Sequence, residues 1–121
     1  MIKGIKFATI PTRDQDRALA FYTEKLGFSV ITDQPFNDQQ RWIELRIRGH
    51  DTGIVLFTAP GHEDLIGRDQ PITFFSTDVR RTYDELVSRG VAFDAPPVVA
   101  DWGSSAIFRD EDGNRFVLSS K

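Results

Sequence analysis

Residues Ala106 to Ser119, AIFRDEDGNRFVLS, read as two strands joined by a sharp turn. Ile107 and Phe108 close the first strand, and Asp110-Glu111-Asp112-Gly113-Asn114 makes the turn. Arg115 to Ser119 forms the second strand, with Phe116 and Leu118 on one face and Val117 on the other. Asp-Gly and Gly-Asn are strong turn pairs, because glycine takes positive φ without strain and Asx side chains bond their own backbone. A weaker echo lies in the first half of the chain. There Ile47-Arg48-Gly49-His50-Asp51-Thr52-Gly53 leads into Ile54-Val55-Leu56-Phe57. The chain reads as two copies of one unit.

The elements around these two turns support that reading. Ile2 to Ile10 alternates loosely as a strand, and Pro11 to Arg13 breaks it. Asp14 is placed to cap a helix from Gln15 to Lys25, whose apolar face holds Ala18, Leu19, Tyr22 and Leu26, with Gly27 ending it. Phe28 to Thr32 is a short strand, Asp33 to Gln40 a polar loop, and Arg41 to Arg48 an alternating strand with Trp42, Glu44 and Arg46 on one face. Ile54 to Thr58 follows as another strand. Ala59 to Pro71 is rich in Gly, Pro and charge, with room for one helical turn at Glu63 to Ile66. The order then repeats. Ile72 to Thr77 is a strand, and Asp78 caps a helix bearing Val79, Tyr83, Leu86 and Val87, which Gly90 ends. Val91 to Phe93 and Val98 to Ala100 are strand pieces broken by Pro96 and Pro97, and Trp102 to Phe108 and Arg115 to Ser119 complete the set. Each half is βαβββ, an α+β pattern: module 1 over residues 1–58, a linker over 59–69, and module 2 over 70–121 of a single domain.

Composition narrows the function. At 121 residues the chain is one compact domain or two very small modules sharing a core. A net charge of -3, with Lys and Arg scattered, argues against nucleic acid or an anionic membrane as the main partner. No apolar run approaches the roughly 20 residues of a membrane span. The start, MIKGIKFATI, is too short and interrupted for a signal peptide, so cytoplasmic residence is the default expectation. The chain has no cysteine, which excludes disulfides, thiolate catalysis and Cys-ligated zinc.

The paired βαβββ modules, the AFYTEKLGF run from Ala20 to Phe28 and FRDEDGN before the last strand resemble the vicinal oxygen chelate superfamily, the glyoxalase, bleomycin-resistance and dioxygenase group. The resemblance covers essentially the whole chain. It implies two modules curled into an eight-stranded cup of mixed sheet, helices outside, completed in a homodimer and holding a small molecule. In the family's enzymes it also implies a divalent metal on four cup-facing strand positions, usually His, Gln or Glu. Those positions fall on Phe7, Leu56, Ile72 and Val117, and none offers a donor atom. His50 and His62 lie in turn and linker, and Asp110-Glu111-Asp112 lacks the EF-hand spacing. The expectation is therefore no metal and no cofactor.

With Phe7 and Leu56 facing inward, alternation assigns the lining expected of the cup. It comprises Phe7, Thr9, Trp42, Glu44, Arg46, Leu56, Ile72, Phe74, Ser105 and Val117, with Trp102 available to stack on a planar ligand. Val55, Phe57, Phe75, Phe116 and Leu118 fall on the opposite faces. Glu44 and Arg46 read first as a solvated sheet face or plain ion pair, next as ligand contacts, and last as a general base beside an anion anchor. Two functions follow from the resemblance: a metal-free binding protein of the bleomycin-resistance kind, or a metal-independent enzyme with Glu44 as base and Arg46 holding a substrate anion. A cup plugged by Phe7, Phe74 and Trp42 is a third possibility.

Overall fold

A computed structural model describes residues 1–121. It comprises two compact units, Met1–Ile66 and Gly67–Lys121, each an α+β unit built on one mixed sheet.

Unit 1 contains β1 (Phe7–Ile10), α1 (Gln15–Ala20), β2 (Ser29–Pro35), β3 (Arg41–Arg46) and β4 (Gly53–Leu56), in the sheet order β1-β4-β3-β2. β1 and β4 are parallel, and the other pairs are antiparallel. The helix starts where the sequence places its cap. Asp14, extended at φ -144°, accepts the Arg17 N–H at 3.0 Å, and the Thr12 hydroxyl accepts the Asp14 N–H at 3.1 Å. The expected single helix changes pitch after Ala20. Phe21–Lys25 forms a π turn in which Leu26 donates to the Phe21 carbonyl, and Gly27, at φ 79°, then reverses the chain. β1 starts at Phe7 rather than Ile2, because pairing with β4 begins only where Gly53 donates to the Lys6 carbonyl.

Unit 2 contains β5 (Asp69–Phe75), α2 (Val79–Ser88), β6 (Ala92–Phe93), β7 (Val98–Ala100), β8 (Gly103–Arg109) and β9 (Arg115–Ser119). Its order is β5-β9-β8-β6, with β7 also paired to β8. β6 and β7 act as one edge strand interrupted around Pro96 and Pro97, which cannot donate to a ladder. The topology is that of unit 1, and so is the helix start. Asp78 accepts the Arg81 N–H at 3.0 Å, and the Ser76 hydroxyl accepts the Asp78 N–H at 3.1 Å.

The Asp110–Asn114 turn is a buried polar knot. The Asn114 side chain is wholly buried. Its amide donates to Asp110 Oδ2 at 2.9 Å, and its oxygen accepts the Gly67 N–H at 2.8 Å and the Gln70 amide at 3.0 Å. Asp110 Oδ1 accepts the backbone N–H groups of Asp112 and Asn114. The turn thereby fixes the register of β9 and ties it to the start of β5. Asp94 bridges Arg109 and Arg115 beside this hairpin, and Arg115 also meets Asp69. The hydrogen bonds from Arg115 and Arg109 hold the Asp94 carboxyl below its ordinary value.

Each sheet packs one face against its helix. In unit 1 that face is aliphatic: Ile10, Ile43, Leu45, Ile54 and Leu56 are buried with Ala18, Phe21 and Tyr22 of the helix. In unit 2 it is aromatic: Phe108, Phe116, Leu118 and Ala106 are buried with Val79 and Leu86. Phe74, Phe93 and Tyr83 extend this ring cluster, with centroids 4.8 to 5.8 Å apart. Each fully buried side chain of this size stabilises the fold by roughly 1.5–3 kcal/mol.

Candidate functional site

Strand pairing decides which side chains share the other face of each sheet. In unit 1, Glu44 is opposite Val55, and Arg46 is opposite Gly53. Phe7 pairs Gly53 and Thr9 pairs Val55. Phe7, Thr9, Trp42, Glu44 and Arg46 therefore come together on one face, with Val55 and Phe57. Leu56 does not join them. It pairs Ile43 and Ile10 on the helix face, so the inward assignment of Leu56 is corrected by one residue. Thr58 is buried as well. Its hydroxyl accepts the Thr12 N–H and donates to the Thr12 carbonyl, both at 3.0 Å.

The same correction applies in unit 2. Thr73 pairs Val117 and Phe75 pairs Ser119, so Thr73 and Phe75 share a face with Val117, Ile107 and Ser105. Ile72 and Phe74 lie on the helix face, where the Phe74 ring meets Phe108 and Phe116 at 5.8 and 5.3 Å. Phe75 is 62% exposed. Trp102 belongs to neither sheet face. It stands in the turn between β7 and β8, half exposed.

The unit 1 face has an aromatic wall. Phe7 meets Trp42 edge-on at 5.5 Å, and Trp42 meets Phe57 at 5.2 Å. Phe36, from the β2–β3 loop, stands over both, 4.9 Å from Phe57 and 5.9 Å from Trp42. It remains 59% exposed. Asn37 shapes that loop by accepting the N–H groups of Gln39 and Gln40 on its side-chain oxygen. Beside the wall lie Glu44, half-buried, and Arg46, exposed. They form no ion pair with each other, and neither is engaged by another side chain. Phe36, Val55, Phe57, Thr73 and Phe75 are face residues that the sequence reading missed. A lone large aromatic in the polar loop Asp33–Gln40 was the available signal for Phe36.

A separate cleft of about 590 Å³ opens at the ends of β1 and β4, lined by Thr12, Gln15, Gln40, Thr58, Glu63, Asp64 and neighbours. Its amides are committed to the backbone. Gln15 donates to the Arg41 and Leu56 carbonyls at 2.8 Å and accepts the Arg41 N–H. Gln40 accepts the Thr58 N–H and donates to its carbonyl. These side chains act as extra peptide groups that extend the sheet, so the cleft is structural. Arg41, at its border, is held in the charged form by hydrogen bonds to Asp33 and Asp16.

The metal positions implied by the resemblance do not fit a divalent ion. Phe7 and Val117 carry no donor, Leu56 and Ile72 are on helix faces, and the residues at the corrected parity include only one hydroxyl, that of Thr73. No group of three or more His, Cys, Asp or Glu side chains converges in the structure. No helix is long and apolar enough to cross a membrane.

Comparison with known proteins adds the following. A family model described as Glyoxalase/Bleomycin resistance protein/Dioxygenase superfamily matches residues 4–118. The protein YetH of Bacillus subtilis is 33% identical over 118 residues, 98% of each chain. A solved superfamily member from Sphaerobacter thermophilus aligns with a TM-score of 0.88 at 32% identity, over 99% of this chain and 98% of that one. TnmS3, described as an antibiotic binding protein from Streptomyces sp. CB03234, aligns at 0.83 and 32% identity, over 98% and 96%.

Proposed function

The chain belongs to the Glyoxalase/Bleomycin resistance protein/Dioxygenase superfamily, and on that premise we propose that it binds a planar aromatic small molecule without a metal, as a cytoplasmic homodimer. One observation carries the reading. The unit 1 sheet face away from the helix presents Phe7, Phe36, Trp42 and Phe57 as a ring cluster, in which Phe57 is buried, Phe7 and Trp42 are half-buried and Phe36 is exposed. An apolar, aromatic surface with a few polar groups is the usual composition of a small-molecule site. The described role of the similar TnmS3 as an antibiotic binding protein supports a small-molecule ligand. Ser105, Val117 and Trp102 are proposed as further contacts. The homodimer is supported by the exposed apolar residues Phe75, Val98 and Val99, and sedimentation checks it.

A second reading uses the same face. Glu44 and Arg46 are both unengaged and side by side, as a general base and an anion anchor of a metal-independent enzyme would be. A thermal-shift screen of planar natural products and metabolic acids tests both. A ligand of the native state raises the melting temperature. The binding reading predicts hits among planar polycyclic compounds, recovered unchanged and weakened at least severalfold by Trp42→Ala. Hits confined to small acids, with turnover abolished by Glu44→Gln, would replace it with the enzyme.

A further inference from the structure

We infer that the unit 1 face selects planar ligands carrying a cationic nitrogen, with Glu44, whose side chain lies over the Gly53 position, as the selecting residue. This rests on the reading of that face as a ligand surface and adds the charge of the ligand.

Gly53 is the first clue. It is not among the glycines with positive φ, so its backbone does not require glycine. A Cβ there would lie a tight 3.1 Å from the Leu45 carbonyl oxygen and in van der Waals contact with Glu44, 3.4 Å from Oε2 and 3.6 Å from Cγ. The Glu44 side chain thus lies back along β4, over a strand position that has no side chain of its own. That position pairs Phe7 on its far side. The carboxylate therefore lies over β4, between the strand that carries Trp42 and the strand that carries Phe7.

The second clue is what surrounds that carboxylate. Arg46 shares the face but does not pair with it. Thr32 and Val55 are its cross-strand neighbours and bring no cation. No buried polar side-chain atom in the structure lacks a partner, so the carboxylate keeps its access to solvent or to a ligand. Arg46 is exposed and Glu44 half-buried. Water and salt screen the exposed charge more than the half-buried one. The face is thus electron-rich where a planar ligand would lie: ring faces attract cations, and the carboxylate accepts a charge-assisted hydrogen bond. A ligand N–H⁺ on Glu44 should bind about tenfold tighter than its neutral counterpart.

The test is calorimetric titration of the full chain with three tricyclic probes of similar size: proflavine as cation, acridone as neutral compound and acridine-9-carboxylate as anion. The expected result is proflavine tightest by about tenfold. Glu44→Gln should remove that preference, bringing proflavine to the affinity of acridone in the same variant. Equal binding of the three probes, a preference for the anion, or a proflavine preference that survives Glu44→Gln overturns the charge assignment and leaves the binding reading intact. Binding of none of the three overturns both.

Discussion

The two units share strand order, a parallel first pair and an aspartate-capped helix, but they sort their aromatic rings to opposite faces. Unit 2 buries Phe108 and Phe116 under its helix, with Phe74 and Phe93 beside them. Unit 1 fills the same position in its sheet with Ile10, Ile43, Leu45, Ile54 and Leu56, and carries Phe7, Trp42, Phe57 and the loop residue Phe36 on the other side. One topology accepts either core. On the unit 1 face Phe57 is buried within the ring cluster, whereas Phe36 stays mostly exposed, and it is this open part of the cluster that the proposed ligand would cover.

The turns differ in the same instructive way. The β8–β9 turn is knotted by Asp110 and the buried Asn114. The corresponding turn before β4 has an exposed Asp51 and is held by the Thr52 hydroxyl on the Ile5 carbonyl and the His50 N–H on the Ile47 carbonyl. Register is built in deeply in unit 2 and lightly in unit 1.

The comparison can be broken most easily by replacing equivalent residue types in the two units. Phe116→Ala should cost about 4 kcal/mol in urea unfolding, the usual loss for a buried phenylalanine. Phe36→Ala should cost less than about 1 kcal/mol, since the ring is mostly exposed, while weakening planar ligands severalfold. A Phe36→Ala loss as large as that of Phe116→Ala would make the unit 1 rings core after all. Next in size, Asn114→Ala should cost about 3 kcal/mol by leaving buried donors and acceptors unpaired. Asp51→Ala, in the corresponding turn, should stay within about 0.5 kcal/mol. Comparable losses from the two would erase the contrast between the turns.

The smallest effect concerns Asp94. Its carboxyl is held below its ordinary value of 3.8 by Arg115 and Arg109. A carboxyl lowered on folding stabilises above the unfolded value and loses that contribution as the pH falls through the folded one. Asp94→Asn should therefore show a modest deficit at neutral pH that closes as the pH drops below 3.8. The deficit should shrink in high salt, because the cluster is exposed. A deficit that persists in acid would assign the loss to something other than charge.

Much of this was legible in the sequence because some signals are local. Asp14 and Asp78 announce the two helices through their own side chains, and the alternation of Trp42, Glu44 and Arg46 against Ile43 and Leu45 places the first three on one face. The Asp-Gly-Asn turn likewise places Val117 opposite Phe116 and Leu118. The faces of β4 and β5 were not legible. Ile54-Val55-Leu56-Phe57 and Ile72-Thr73-Phe74-Phe75 are apolar or nearly so on both sides, so periodicity carries no parity, and only pairing with Ile43 or Val117 settles it. Phe36 stood out as a lone aromatic in a polar loop, but its place on the face was not legible. Its position over Trp42 depends on the backbone course set by Asn37, a feature of the folded loop. The π turn after Ala20 has no sequence signature that distinguishes it from a regular helix end.

The central claim is that ligands sit on the rings of unit 1. The chain has two tryptophans, so Trp102→Phe leaves Trp42 as the sole indole reporter. Titrating that variant with proflavine and acridone while following tryptophan emission tests the claim directly. The account predicts saturable quenching of Trp42 with the dissociation constants found by calorimetry. Binding detected by calorimetry with Trp42 emission unchanged would contradict it.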